Sequence, residues 1–267
     1  MLTPRATGIT PCGTAWSRYG AGVPLVLLHG VGMNQSVWAP QVRGLQDGFD
    51  VITLDMMGHG ASRFDPQTRD IGDYAAQLVR LLDALNIEQA HVVGHSMGAL
   101  IALEMAVAHG NRCKSVMALN GVYRRTPEQR ASVQARAAEL TLHGKPDSVE
   151  GTIHRWFGNP IPAAQHDAAV LSTQLLMDVP QQGYARAYEV FSNSDERHAG
   201  RLASITVPTL IATGECDPNS SPEMARAMHA EIRGSQLEIF PGQRHMMSLV
   251  AVDEVNTLIR TFANRNA

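Results

Sequence analysis

Ser96 lies in the pentapeptide Gly94-His95-Ser96-Met97-Gly98, a G-x-S-x-G pattern that makes its hydroxyl a candidate nucleophile. A hydroxyl attacks a carbonyl only when a base takes its proton and an acid holds that base. Of the eleven histidines, His229 and His245 lie beyond the apolar run at residues 208–213. His229 falls within a helical pattern. His245 sits in a loop, Gly242-Gln243-Arg244-His245-Met246, just after an apolar run. A base must reach a serine at a sheet edge, so His245 is the expected base. The acid is expected at Asp217 in Gly214-Glu215-Cys216-Asp217-Pro218, where Pro218 fixes the following turn, with Glu215 as the fallback. The chemistry is acyl transfer to water, and it needs no metal and no organic cofactor.

Two backbone amides complete the set. Met97 N–H stands at the start of a helix, where an oxyanion is stabilised. A second donor is expected from His29-Gly30-Val31-Gly32: Val31 N–H first, Gly32 N–H second. His29 precedes the serine and so has the wrong chain order for the base; its expected role is to hold this loop by hydrogen bonds.

These residues need elements that deliver them to one place. Continuous runs rich in Val, Ile and Leu at residues 25–29, 51–55, 91–94, 115–119, 209–213 and 237–240 read as strands buried on both faces of a parallel sheet. Helical spacing at 73–85, 97–109, 222–232 and 253–263 alternates with them, the pattern of βαβ units. The pentapeptide alone is a weak signal. Placed between the strand ending at 94 and the helix opening at 97, it occupies the strand–turn–helix setting that the chemistry requires. Residues 122–198 break the alternation: segments 127–142, 149–157 and 168–176 are helical, separated by Gly144, Pro146, Gly158, Pro160, Pro162 and Pro180, with no convincing strand. This predicts a helical lid at 122–199 over the carboxyl edge of the sheet, with core segments at 1–121 and 200–267.

The set His29-Gly30-x-Gly32, Asp55-x-x-Gly58-x-Gly60-x-Ser62, Gly94-His95-Ser96-Met97-Gly98, Gly214-x-x-Asp217 and His245 resembles the α/β-hydrolase superfamily, in its lid-bearing esterase, lactonase and C–C hydrolase branch. The resemblance runs from about Pro24 to Phe262. It implies an α/β fold: a mostly parallel, twisted sheet of about eight strands flanked by helices, with the lid inserted after strand six. It also implies that Asp55 and Ser62 form a scaffold turn. Ser96 departs from the dehalogenase and epoxide-hydrolase pattern, which has aspartate there. The short glycine run after His29-Gly30 departs from the C–C hydrolases.

Composition excludes other classes. A net charge of −3 with no basic block speaks against nucleic acid. No apolar run approaches the ~20 residues of a membrane span, and residues 1–16 lack a secretory apolar core. Cys12, Cys113 and Cys216 have no paired spacing, so a disulfide framework is not expected and the cytoplasm is. The expected function is hydrolysis of a carboxylic ester or lactone, a small catabolic intermediate. C–C bond hydrolysis, perhydrolysis or acyl transfer on the same triad is the alternative, and a non-enzymatic small-ligand receptor is the alternative of another class. Substrate contacts are expected from Gly30, Gly32, Arg155, Trp156 and Met246, with Arg155 a candidate partner for a substrate carboxylate. Oligomeric state stays open, a homodimer among the options.

Overall fold

A computed structural model describes residues 2–143 and 149–267; Gly144 and Pro146 lie outside the described residues. Eight strands form one sheet: β1 (Ala6–Ile9), β2 (Ala15–Gly20), β3 (Val23–Leu28), β4 (Phe49–Leu54), β5 (Ala90–His95), β6 (Cys113–Leu119), β7 (Thr209–Gly214) and β8 (Gln236–Phe240). Their order is β1-β2-β4-β3-β5-β6-β7-β8. The pairs β1–β2 and β2–β4 are antiparallel, and every other pair is parallel. All six runs expected from the sequence are strands. The antiparallel edge pair β1–β2 was outside those runs, because Arg, Ser, Thr and Gly interrupt its apolar residues.

The central strands are apolar on both faces because helices cover both. Beside the sheet run α1 (Ala39–Leu45), α2 (Ile71–Ala84) and α3 (Met97–Ala108). Asp70 caps α2 through a reciprocal capping box with Asp73, and the stripe Tyr74, Leu78, Leu81 and Leu82 is buried. Every residue of α3 from Met97 to Ala106 is buried, since this helix is wedged against β5, β6 and α2. Such a helix is apolar on nearly every face rather than amphipathic; Glu104 is the charged exception, and it pairs with Arg197 and Arg201.

Between β6 and β7 come four helices: α4 (Pro127–His143), α5 (Val149–Phe157), α6 (His166–Asp178) and α7 (Gln181–Ser192). Among the described residues, no strand occurs there. Helix α7 lay outside the expected segments, since Gly183 and the preceding Pro180 obscure its period. Gly183 has a packing reason: a Cβ on it would stand 1.8 Å from Gly58 O, in the turn after β4. The chain ends with α8 (Pro222–Glu231), α9 (Met247–Val250) and α10 (Val252–Arg265). Among the described residues, no helix is long and apolar enough to cross a membrane.

Candidate active site

All the chemistry-bearing residues leave the carboxyl ends of parallel strands. His29 follows β3, Ser96 follows β5, Asn120 follows β6, Asp217 follows β7 and His245 follows β8. Five loops far apart in sequence therefore meet at one edge of the sheet, where α/β folds bind ligands.

Ser96 adopts φ 57° and ψ −115°, a left-handed conformation that costs a non-glycine residue about 1–3 kcal/mol. Its N–H donates to Leu119 O on the neighbouring strand at 2.9 Å, which helps to hold the strain. The glycines on either side are required by close approach. A Cβ on Gly94 would lie 1.9 Å from Gly98 O, and one on Gly98 would lie 2.3 Å from Leu28 O. The turn thus accepts no side chain except that of Ser96 and its immediate neighbours.

His245 Nδ1 donates to Asp217 Oδ2 at 2.8 Å, both groups buried. That bond leaves the lone pair on Nε2, the atom free to act as a base. Burial alone would raise the Asp217 carboxyl. The His245 charge and hydrogen bonds from His245, Asn120 and Asn219 outweigh it and hold the carboxyl below the ordinary range. Asp217 Oδ2 also accepts from Asn120 Nδ2 at 2.9 Å, and Oδ1 accepts from the Asn219 and Ser220 amides at 2.8 and 3.2 Å. Glu215 is exposed and accepts from Gly242 N–H instead, so it does not reach the imidazole.

Two partners in this network escaped the sequence reading. Asn120 follows β6 and carries no charge, so nothing local marked it as a donor to Asp217 97 residues away. His95, the variable position of the pentapeptide, donates Nε2–H to His245 O at 2.7 Å and ties the His245 loop to the strand that leads into Ser96. Burial, then the nearby His245 charge, pushes His95 down to about 3, so it stays neutral.

The loop after β3 is held by two more neutral imidazoles. His29 Nδ1 donates to Gly30 O at 2.8 Å, and its Nε2 accepts from Met56 N–H at 2.9 Å. His59 Nε2 accepts from Gly32 N–H at 3.1 Å. Gly32 N–H is thereby committed. Among the described residues, Val31 N–H and Met97 N–H have no partner within the chain.

Ser96, His245 and Val31 line one cavity of about 360 Å³, with Arg155, Trp156 and Tyr184 on its walls. Ser96 Oγ and His245 Nε2 each make no hydrogen bond within the chain among the described residues, so both are open to a ligand. The Trp156 ring lies 5.8 Å from the His245 ring, tilted by 31°. Three of the residues expected to contact substrate are off the walls. Met246 is buried in the core, and Gly30 packs under Ser96, where a Cβ would stand 3.1 Å from Ser96 Cβ. Gly32 faces Tyr184 and Leu176, again without lining the cavity. The Asp55 turn is a scaffold: Asp55 accepts from the Gln35 and Ala61 amides, and Ser62 Oγ donates to Asp55 O. Among the described residues, no group of three or more His, Cys, Asp or Glu side chains is placed to hold a metal ion.

Residues 23–148 match the family model of the alpha/beta hydrolase fold. The (E)-2-((N-methylformamido)methylene)succinate hydrolase of Acinetobacter baylyi is 35% identical over 246 residues, covering 91% of this chain and 91% of that one. The 3-oxoadipate enol-lactonase 1 of the same organism is 34% identical over 215 residues, covering 80% of this chain and 79% of that one. Among solved structures, the enol-lactonase from Burkholderia xenovorans shares the fold with a TM-score of 0.88 at 23% identity, over 97% of this chain and 100% of that one. The chain belongs to the α/β-hydrolase family and is a hydrolase.

Proposed function

We propose that the protein is a serine hydrolase that cleaves a carboxylic ester or lactone of a small molecule. The observation that carries this reading is the buried Asp217–His245 bond at 2.8 Å, opening on the same cavity as a strained Ser96. His245 Nε2 takes the Ser96 proton as Oγ attacks the scissile carbonyl carbon. Asp217 stays ionised and stabilises the imidazolium. The Val31 and Met97 amides receive the oxyanion, each donor being worth about 2.7–4 kcal/mol in comparable sites. The leaving oxygen departs with the proton from His245, leaving an acyl-Ser96. Water then gives its proton to His245 and attacks the acyl carbon, and Oγ leaves reprotonated. Helices α4–α7 serve as the cap that walls the cavity, residues 122–199 forming a unit set on the core at 1–121 and 200–267.

The relatives named for enol-lactone and succinate-derivative hydrolysis support this reading by kinship. The test compares kcat/KM for p-nitrophenyl acetate with that for a vinylogous dienoic diketo acid, the substrate type of C–C hydrolases. Faster ester turnover, lost in Ser96→Ala, is the expected result. A folded wild-type protein that turns over only the diketo acid would move the chemistry to C–C cleavage. Turnover of neither, with an acetate ester still bound, would make the chain a receptor.

A further inference from the structure

The cavity above Ser96 carries more positive charge than the chain neutralises. Three guanidiniums reach its walls, from Arg125, Arg136 and Arg155. Arg125 is accounted for: it pairs with Asp195 at 3.3 Å, donates to the Phe191 and Ser192 carbonyls, and stacks over the Phe191 ring. The other two have only neutral partners. Arg136 on α4 donates to Tyr188 Oη at 3.1 Å and to Ser132 Oγ at 2.9 Å. Arg155 on α5 donates to Thr152 Oγ1 at 2.8 Å. Among the described residues, neither makes an ion pair. Glu128, the acidic residue on the wall, stands exposed in the first turn of α4, where Thr126 and its own backbone engage it.

The two free guanidiniums sense each other. Burial, and then the Arg136 charge, lowers the proton affinity of Arg155. Beside them is a third unsatisfied donor. Tyr184 is 4% exposed, lines the cavity, and its hydroxyl has no hydrogen-bond partner among the described residues. Its ring reaches the loop after β3, for a Cβ on Gly32 would stand 3.0 Å from Tyr184 Cε2. On the other side, Trp156, the residue after Arg155, faces the His245 ring. The donor cluster is therefore close to the candidate nucleophile and base. Two like charges facing one small cavity without a counter-ion are relieved by an anion, and the planar guanidinium fork matches a carboxylate.

We propose that Arg136, Arg155 and the Tyr184 hydroxyl form a carboxylate-binding subsite, and that the substrate is an ester or lactone bearing a free carboxylate a few bonds from its scissile carbonyl. The substrate class rests on the serine-hydrolase reading; the subsite does not.

Calorimetry on the folded Ser96→Ala protein separates the two. Its ligands are monomethyl succinate and its neutral counterpart methyl levulinate. The half-ester is expected to bind more tightly by about tenfold or more, the scale of hydrogen bonds to a charged group. Arg136→Gln and Arg155→Gln should each erode that ratio, and the double variant should bring it to about one. Equal binding of the two esters, or a preference that survives in the double variant, would overturn the subsite. Where the variants do not fold, the wild-type kcat/KM ratio for the same two esters decides, with equal values against the proposal. Failure of the serine-hydrolase reading shows separately, as no turnover of either ester alongside an intact binding preference.

Discussion

In the proposed mechanism, removing the Ser96 hydroxyl or the His245 imidazole deletes one partner of a coupled attack. Ser96→Ala and His245→Ala should each lower kcat/KM by about four to six orders of magnitude and leave the circular dichroism spectrum unchanged. Asp217→Asn should cost about 10⁴ in kcat, because the amide favours the wrong imidazole tautomer. Glu215→Gln should leave kcat as it is, since that carboxylate turns to Gly242; a loss like that of Asp217→Asn would show that the acid has been misassigned. Asn120→Ala removes one donor from Asp217 and should reduce kcat by about tenfold through a looser imidazole. The three side chains of the proposed triad were legible as candidates because a G-x-S-x-G turn, a post-strand carboxylate and a post-strand histidine have local signatures. Asn120 and His95 were not. Their roles arise from contacts with Asp217 and His245 that no window of sequence contains.

Among elements, the strand–turn–helix at β5–α3 is the most tightly specified. Leu28 O and Gly98 O occupy the space that a Cβ on Gly98 or Gly94 would need. Gly94→Ala and Gly98→Ala should each lower the melting temperature by several degrees and abolish activity, which thermal unfolding and ester hydrolysis would check together. His95→Leu keeps the volume but frees the His245 loop; kcat should fall more than KM rises, and an unchanged kcat would remove His95 from the positioning network. The parallel strands were readable as unbroken Val, Ile and Leu runs, for helices shield them on both sides. Strands β1 and β2 hid because an edge pair is only partly buried and keeps polar residues. Helix α7 hid because Gly183, a poor helix former, is demanded by its approach to Gly58.

Across the whole molecule, the carboxyl edge is assembled around imidazoles that stay neutral. Burial lowers His29 from 6.5 to about 4, and lowers His59 and His95 from 6.5 to about 3. In the unfolded chain each binds a proton as pH drops through 6.5, while the folded protein does not follow until pH 3 to 4. Unfolding therefore takes up protons in that window, and stability falls as pH falls, by about 1.4 kcal/mol per pH unit for each histidine at full effect. The melting temperature should drop steeply between pH 7 and pH 5 in scanning calorimetry; a flat profile there would contradict the buried neutral tautomers. Below the ordinary carboxylate range a second loss should follow. Burial of Glu104 is outweighed there by His198, Arg197 and Arg201, which hold its carboxyl low, so its contribution disappears as pH falls further.

Intact-protein mass spectrometry after exposure to a fluorophosphonate probe decides whether Ser96 is a single activated serine. One adduct per chain is expected, mapped by peptide digestion to Ser96 and absent from Ser96→Ala and His245→Ala. A folded wild-type chain that takes up no probe, or carries it on another residue, would contradict it.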